Sequence, residues 1–166
     1  MYNPTIGLFG TCGGSNWRDS FITQYNKLGI HYFNPQKNNW KPEDAIVEAE
    51  HLIEDDIILF PVTNETYGTG SLAETGFSIH QAIRSNLNRS IVVMIDINIK
   101  PELVIADPIA AKESMRSRAL VQAHLNKVKH DNIYIVESLE DMFTLSLKLY
   151  DLHKQLAVVR QYSINR

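Results

Sequence analysis

Short apolar runs alternate with longer amphipathic segments from one end of the chain to the other. The apolar runs predict five strands: Thr5–Phe9, His31–Phe33, Asp56–Pro61, Ser90–Ile95 and Asn132–Val136. Three of these runs are almost continuous in Ile, Val, Leu or Phe, which is typical of strands covered on both faces. The amphipathic segments predict five helices: Ser15–Leu28, Pro42–Glu54, Ser71–Asn86, Ala111–Lys129 and Ser138–Val159.

This alternation predicts an α/β fold. Successive parallel strands are joined by right-handed crossovers, and the crossover helices cover the faces of the sheet. We therefore expect a single three-layer domain over residues 1–166, of flavodoxin-like or Rossmann-like type, with a five-stranded, mostly parallel sheet and helices on both faces. Ligands of such sheets bind at the carboxyl ends of the strands, near the switch in strand order. The loops that follow the strands are therefore where we look for chemistry.

Composition narrows the class of protein. The chain has 166 residues, of which 44% are apolar and 21% charged, enough for one globular core. Its net charge of −3 lacks the excess of positive charge that is typical of proteins that bind DNA or RNA. No apolar run approaches the roughly 18 residues of a membrane span. One cysteine, Cys12, and an amino terminus without signal-peptide features predict a cytoplasmic protein. The histidines lack metal-ligand spacing, so we expect neither a metal nor another cofactor.

The most distinctive segment is Gly68–Gly76, which follows the third strand and reads GTGSLAETG. It predicts a loop of small residues and then Glu74 in the first turn of a helix. Free N–H groups at a helix N-terminus favour an ionised carboxylate, and an ionised carboxylate in a cleft is a candidate nucleophile. The spacing of Ser71 and Glu74 is also that of an ordinary capping box. The segment alone leaves both interpretations open.

The loop after the first strand, residues 10–19, combines glycines with a helix start. Gly10 and Gly13 let the backbone approach a ligand closely, and the helix N-terminus offers N–H groups to an anion or to sugar oxygens. Arg18 could hold a phosphate or carboxylate, or be a solvated surface cation. Trp17 could stack on a base or pack in the core. A tight, capped turn is the alternative for the whole loop.

Two further loops carry polar side chains. Asn34 and Gln36 follow the second strand, and their amides offer the donor and acceptor needed to read a nucleobase edge or ribose hydroxyls. The alternative is a polar loop with Asn-Pro turn chemistry. Tyr67 follows the third strand. Asp55 and Asp56, at the start of that strand, could orient a ligand or simply be solvated.

Together the three loops resemble one known family. Residues 70–76 resemble the nucleophile motif of nucleoside 2-deoxyribosyltransferases, in which a glutamate sits between small residues and a glycine. Residues 10–19 and 32–36 resemble the nucleoside 2-deoxyribosyltransferase-like branch. The resemblance covers about half of the chain, roughly Ile6 to Phe77. It implies a compact α/β homo-oligomer in which neighbouring subunits complete the pocket. It also implies a small-molecule nucleoside or nucleotide as ligand.

The resemblance also implies residue roles. Glu74 would attack the anomeric carbon of a 2′-deoxynucleoside, and a second base or water would then capture the covalent deoxyribosyl-enzyme. Asp56 matches the family's aspartate at the start of the third strand and would help to bind the base. Asn34 and Gln36 fall where the family contacts base or sugar. The other expected substrate contacts are Gly10, Thr11, Gly13, Ser15, Trp17, Arg18, Tyr67, Gly70 and Ser71.

The chain departs from the family at Gly68, where related enzymes often carry an acidic residue six positions before the nucleophile. Tyr67, Glu65 or an amide elsewhere would have to replace that contact. Three functions stay open. The first is deoxyribosyl transfer between bases. The second is hydrolysis of the N-glycosidic bond of (deoxy)nucleoside 5′-monophosphates, with Ser15, Arg18 and the glycine-rich loop holding the phosphate. The third is a nucleotide-sensing module without turnover.

Overall fold

A computed structural model describes residues 2–85 and 89–162 of the chain. Within those residues, strands and helices alternate as the sequence predicts, except that two helices instead of the one predicted join the last two strands. The strands are β1 (Ile6–Leu8), β2 (Tyr32–Phe33), β3 (Ile57–Val62), β4 (Ser90–Ile95) and β5 (Ile133–Ile135). The helices are α1 (Trp17–Leu28), α2 (Asp44–Glu54), α3 (Thr69–Ser85), α4 (Pro101–Ala106), α5 (Pro108–Leu125) and α6 (Leu139–Arg160). No helix in this described part has both the length and the apolar composition needed to cross a bilayer.

The five strands form one sheet in the order β2-β1-β3-β4-β5, and every neighbouring pair is parallel. The chain starts at β1, moves outward to β2, and then crosses to the other side of β1 with β3. The switch in strand order therefore lies between β1 and β3. The α/β fold class is confirmed, and the sheet is parallel throughout.

Successive side chains of a strand point to opposite faces, so the central strands feed two separate cores. On one face, α1 and α6 pack on the sheet through residues such as Phe21, Tyr25 and Met142. On the other face, α2, α3 and α5 do so through apolar side chains that include Leu52 and Ile79. These two cores account for the near-continuous apolar composition of β3 and β4. They also confirm that helices cover both faces.

The predicted helix boundaries differ from the structure in two informative places. Helix α3 begins at Thr69, so Ser71 lies inside the helix and does not cap it. The end of that helix was predicted at Asn86, which lies outside the described residues. Helix α5 begins at Pro108, three residues before the predicted start. There the Asp107 carboxylate accepts hydrogen bonds from two backbone N–H groups and proline occupies the first turn, two start signals that sequence reasoning overlooked.

A polar cluster closes the amino edge of the sheet. The Asp56 carboxylate accepts hydrogen bonds from the Tyr2 hydroxyl and, at 3.0 Å, from the Thr5 backbone N–H. Nearby, the Ser90 hydroxyl lies 3.0 Å from His153 Nε2, and His153 Nδ1 lies 3.9 Å from an Asp56 oxygen. Ser90 and His153 are both buried. This cluster ties the first residues, β3, β4 and α6 together.

The buried His153 predicts a loss of stability in acid. Burial lowers its pKa below the ordinary 6.5, although the Asp56 charge opposes this shift. Protonation therefore favours the unfolded chain, so the stabilisation is complete above pH 6.5 and is lost as the pH falls toward the lowered pKa. Urea unfolding at about pH 7 and about pH 5 should show a larger drop in unfolding free energy for the wild type than for His153→Gln. Equal drops in both proteins would contradict this assignment.

Candidate functional site

A cavity of about 470 Å³ opens at the carboxyl edge of the sheet, beside the switch in strand order. The loops after β1 and β2, helix α2 and the start of α3 surround it. Its polar and glycine lining consists of Gly10, Cys12, Gly13, Gln36, Lys37, Trp40, Glu48, Gly68, Thr69, Gly70, Ser71 and Glu74. The described residues contain no group of three or more His, Cys, Asp or Glu side chains that could hold a metal ion.

Glu74 is a half-buried carboxylate that lines this cavity. It is the sixth residue of α3 and so lies in the second turn of the helix. We expected it in the first turn, which is the turn where the helix dipole acts most strongly. Burial raises the pKa of Glu74, the nearby charge of Glu48 raises it further, and Arg18 lowers it. No described residue donates a hydrogen bond to its carboxylate. Both oxygens therefore remain available to a ligand.

Glu48, on α2, is a second carboxylate of the cavity and was missed by sequence reasoning. Its Oε1 accepts a hydrogen bond of 2.7 Å from the indole N–H of Trp40. The sequence pattern of α2 did not indicate that Glu48 faces a cavity. Apolar residues of this helix, such as Ile46 and Val47, are exposed, so the apolar positions do not mark a single buried face. A hydrophobic pattern therefore does not identify the side of α2 that faces the cavity.

Six of the predicted site residues line the cavity: Gly10, Gly13, Gln36, Gly70, Ser71 and Glu74. The reason for glycine at position 10 differs from the one expected. Gly10 has a φ of +96°, and a Cβ there would lie 2.6 Å from the Pro61 carbonyl oxygen. The close neighbour of Gly10 is thus strand β3, so a packing constraint is enough to explain this glycine.

Thr11 and Ser15 do not line the cavity, contrary to expectation. Both are buried, and Thr63 at the end of β3 joins them. Thr63 Oγ1 lies 2.9 Å from Thr11 Oγ1 and 3.1 Å from Ser15 Oγ. These hydroxyl groups hold the loops after β1 and β3 together at the switch point.

The expectation that Arg18 binds a phosphate is wrong. Its side chain is 0% exposed. Its Nε and Nη1 donate to the carbonyl oxygens of Leu8 and Thr11, at 2.8 and 2.7 Å, and its Nη2 donates to Gly10 at 3.2 Å. Arg18 thus holds the loop after β1 from within and contributes to the site through its charge.

Trp17 packs in the core and does not stack on a ligand. It is 4% exposed, with its ring edge-on to Phe21 at 5.1 Å between centroids. Its indole N–H donates to the Thr11 carbonyl at 3.1 Å. Trp17 therefore supports the loop after β1 beside Arg18.

The expectation that Asp56 acts on the substrate by helping to bind the base is wrong, because Asp56 precedes β3 and lies at the amino edge of the sheet. The six residues of β3 separate it from the cavity edge, roughly 20 Å along an extended strand. Asn34 and Tyr67 are also outside the cavity lining. Asn34 Oδ1 accepts from the Gln36 N–H at 3.1 Å in a turn, and the Tyr67 hydroxyl donates to the Leu103 carbonyl at 2.9 Å.

Gly68 occupies a position that leaves no room for a side chain. Its φ is +66°, and a Cβ there would lie 2.8 Å from Val62 Cγ1 and 3.1 Å from Arg118 Nη2. Arg118 is itself fully buried and donates to backbone carbonyls, including those of Thr63 at 3.0 Å and Thr66 at 2.7 Å. The family's acidic residue therefore has no room here unless the loop rearranges.

No protein-family model and no curated protein matches the chain. Among solved structures, the chain is similar to a crystal structure described as a conserved protein from Enterococcus faecalis V583. The two are 13% identical with a TM-score of 0.50, over 86% of this chain and 96% of the other. A likeness at this level of identity shows the α/β fold alone.

Gly68→Ala should destabilise the protein by at least about 1 kcal/mol, because the new Cβ meets Val62 at a strained φ. Gly76→Ala is the matched control. Gly76 is exposed in the middle of α3, and a Cβ there meets nothing within 4 Å. That change should stabilise by about 0.5–1 kcal/mol. Urea unfolding of both variants checks the two signs, and a neutral Gly68→Ala would contradict the described loop geometry.

Proposed function

We propose that this protein cleaves the N-glycosidic bond of 2′-deoxynucleosides, with Glu74 as the nucleophile. The observation that carries the proposal is the half-buried Glu74 carboxylate, which faces a cavity of about 470 Å³ beside the switch point. A carboxylate without protein donors keeps its nucleophilic oxygens free for a sugar carbon. The cavity volume falls within the range of small-molecule sites.

In this proposal a Glu74 oxygen attacks C1′ of the sugar. The C1′–N bond breaks through an oxocarbenium-like transition state, and a glycosyl ester forms on Glu74. A second base then attacks C1′ and releases Glu74, which completes a deoxyribosyl transfer. Water in place of the second base would make the enzyme a hydrolase. The resemblance of the three loops to the nucleoside 2-deoxyribosyltransferase-like family supports the transfer.

The charges around the cavity favour a substrate without a 5′-phosphate. Arg18 and Ser15, the expected phosphate contacts, are buried and already hydrogen-bonded within the protein. Lys37 lines the cavity, but its ammonium group donates to Asp44 at 2.6 Å. Two carboxylates, those of Glu48 and Glu74, lie on the same lining and would repel a phosphate.

Two further parts of the proposal concern the protein's setting. We propose that it acts as a homo-oligomer, as the family resemblance implies, and in the cytoplasm, as the single cysteine suggests. Exposed apolar side chains on three neighbouring helices support the oligomer: Phe77 on α3, Ile105 on α4 and Ile109 on α5 are 63%, 81% and 79% exposed. Burying such side chains between subunits would be favourable.

Glu74→Gln should abolish release of adenine from deoxyadenosine, with a loss of at least about 1,000-fold, because an amide cannot form the glycosyl ester. Chromatography of reactions with and without free cytosine measures both outcomes of the wild-type reaction. Deoxycytidine as product indicates transfer, whereas adenine plus free sugar indicates hydrolysis. The control is Glu50→Gln, which removes a carboxylate from an exposed position on α2. Full activity in Glu74→Gln would exclude Glu74 as the nucleophile.

The pH dependence of kcat/KM should also report on Glu74. Burial and the charge of Glu48 raise the pKa of Glu74 above the ordinary 4.5. The nucleophile must be ionised, so the acid limb of the profile should lie at a higher pH than for an ordinary glutamate. Initial rates of base release across the acid range test this. An acid limb at or below the ordinary glutamate pKa would contradict the buried environment assigned to Glu74.

A further inference from the structure

Glu48 is the second carboxylate of the cavity, and the nucleophilic role of Glu74 leaves it without a function. It reaches the cavity from α2, whereas Glu74 reaches it from α3. Cleaving a glycosidic bond requires more than a nucleophile, because the departing base needs a proton on its ring nitrogen. A paired carboxylic acid is the group that supplies this proton in most glycoside-cleaving sites.

Trp40 fixes the orientation of Glu48. The indole N–H donates to Glu48 Oε1 at 2.7 Å, and an indole N–H can only donate. The oxygen left for proton exchange with a ligand is therefore the other one, Oε2. The carboxyl group is thus held so that Oε1 is engaged with the rim of the cavity while Oε2 can carry an acidic proton.

The surroundings of the two carboxylates favour a division of roles. The Trp40 indole holds Glu48 at one oxygen and leaves the other oxygen for proton transfer. Glu74 accepts no hydrogen bond from a residue that the structure describes, so its oxygens can approach a sugar carbon.

We propose that Glu48 is the general acid that protonates the departing base, with Trp40 as its positioning residue. This inference rests on the proposed function of Glu74. As the C1′–N bond breaks and the Glu74–C1′ bond forms, the bonding pair passes to the base nitrogen, which takes the proton from Glu48 Oε2. In the second step the Glu48 carboxylate accepts a proton from the acceptor base or water as that group attacks C1′, and the ester bond to Glu74 breaks.

The test compares two leaving groups on the full-length protein. Adenine in deoxyadenosine needs a proton to depart, whereas 4-nitrophenolate in the corresponding 4-nitrophenyl 2-deoxyriboside departs as a stable anion. Glu48→Gln should lower kcat on deoxyadenosine by about 100-fold or more while changing kcat on the nitrophenyl substrate by less than about threefold.

Three further variants make the comparison decisive. Trp40→Phe should show a smaller loss with the same preference for the nitrophenyl substrate, and it replaces Glu48→Gln if that variant does not fold. Glu50→Gln, an exposed carboxylate of the same helix, should change neither rate. Glu74→Gln should lose activity on both substrates.

The outcomes separate the two proposals. Equal losses on both substrates in Glu48→Gln, or no loss on either, overturn the role of Glu48 and leave Glu74 as the nucleophile. A Glu74→Gln protein that still releases nitrophenolate overturns the nucleophile assignment, while a selective loss in Glu48→Gln keeps the general acid. A wild-type protein that releases neither leaving group overturns both.

Discussion

Two buried arginines that bind backbone carbonyls are the interaction on which the carboxyl edge of this sheet depends. Arg18 and Arg118 are both 0% exposed, and neither makes a salt bridge with a carboxylate in the part of the chain that the structure describes. Burying a cation costs several kcal/mol unless its donors are satisfied. The five N–H donors of a guanidinium are well suited to this, because strand ends and loops present several carbonyl oxygens close together.

The two arginines divide the edge between them. Arg18 donates to carbonyls at the end of β1 and in its loop, and Arg118 donates to carbonyls at the end of β3 and in the loop after it. These loops flank the switch in strand order, where parallel sheets form their ligand sites. The hydroxyl groups of Thr11, Thr63 and Ser15 join the two loops between the arginines. The floor of the cavity is therefore rigid for reasons unrelated to any ligand, and Arg18 influences Glu74 by charge without touching a substrate.

The sequence predicts much of this architecture and less of its site. Apolar runs, their spacing and their alternation with helices are enough to predict the sheet, its parallel strands and the edge at which Glu74 lies. Side-chain direction is harder to predict, because Arg18 sits in the first turn of a helix, where both an inward and an outward orientation suit its spacing. The prediction for Asp56 was wrong because Asp56 comes directly before β3. A residue that precedes a strand lies at the opposite edge of the sheet from a residue that follows the strand. Glu48 was missed because α2 exposes apolar side chains as well as polar ones, so its pattern does not point to the cavity.

Gly68 limits which substitutions the loop after β3 can accept. A carboxylate at position 68 needs a smaller side chain at Val62 and a displaced Arg118. Moving Arg118 removes the hydrogen-bond donor that now serves the carbonyl oxygens of Val62, Thr63 and Thr66. A side chain at position 68 is therefore tolerated only with matching changes at Val62 and Arg118. The three positions form one coupled set, so the effects of substitutions at them should not add independently.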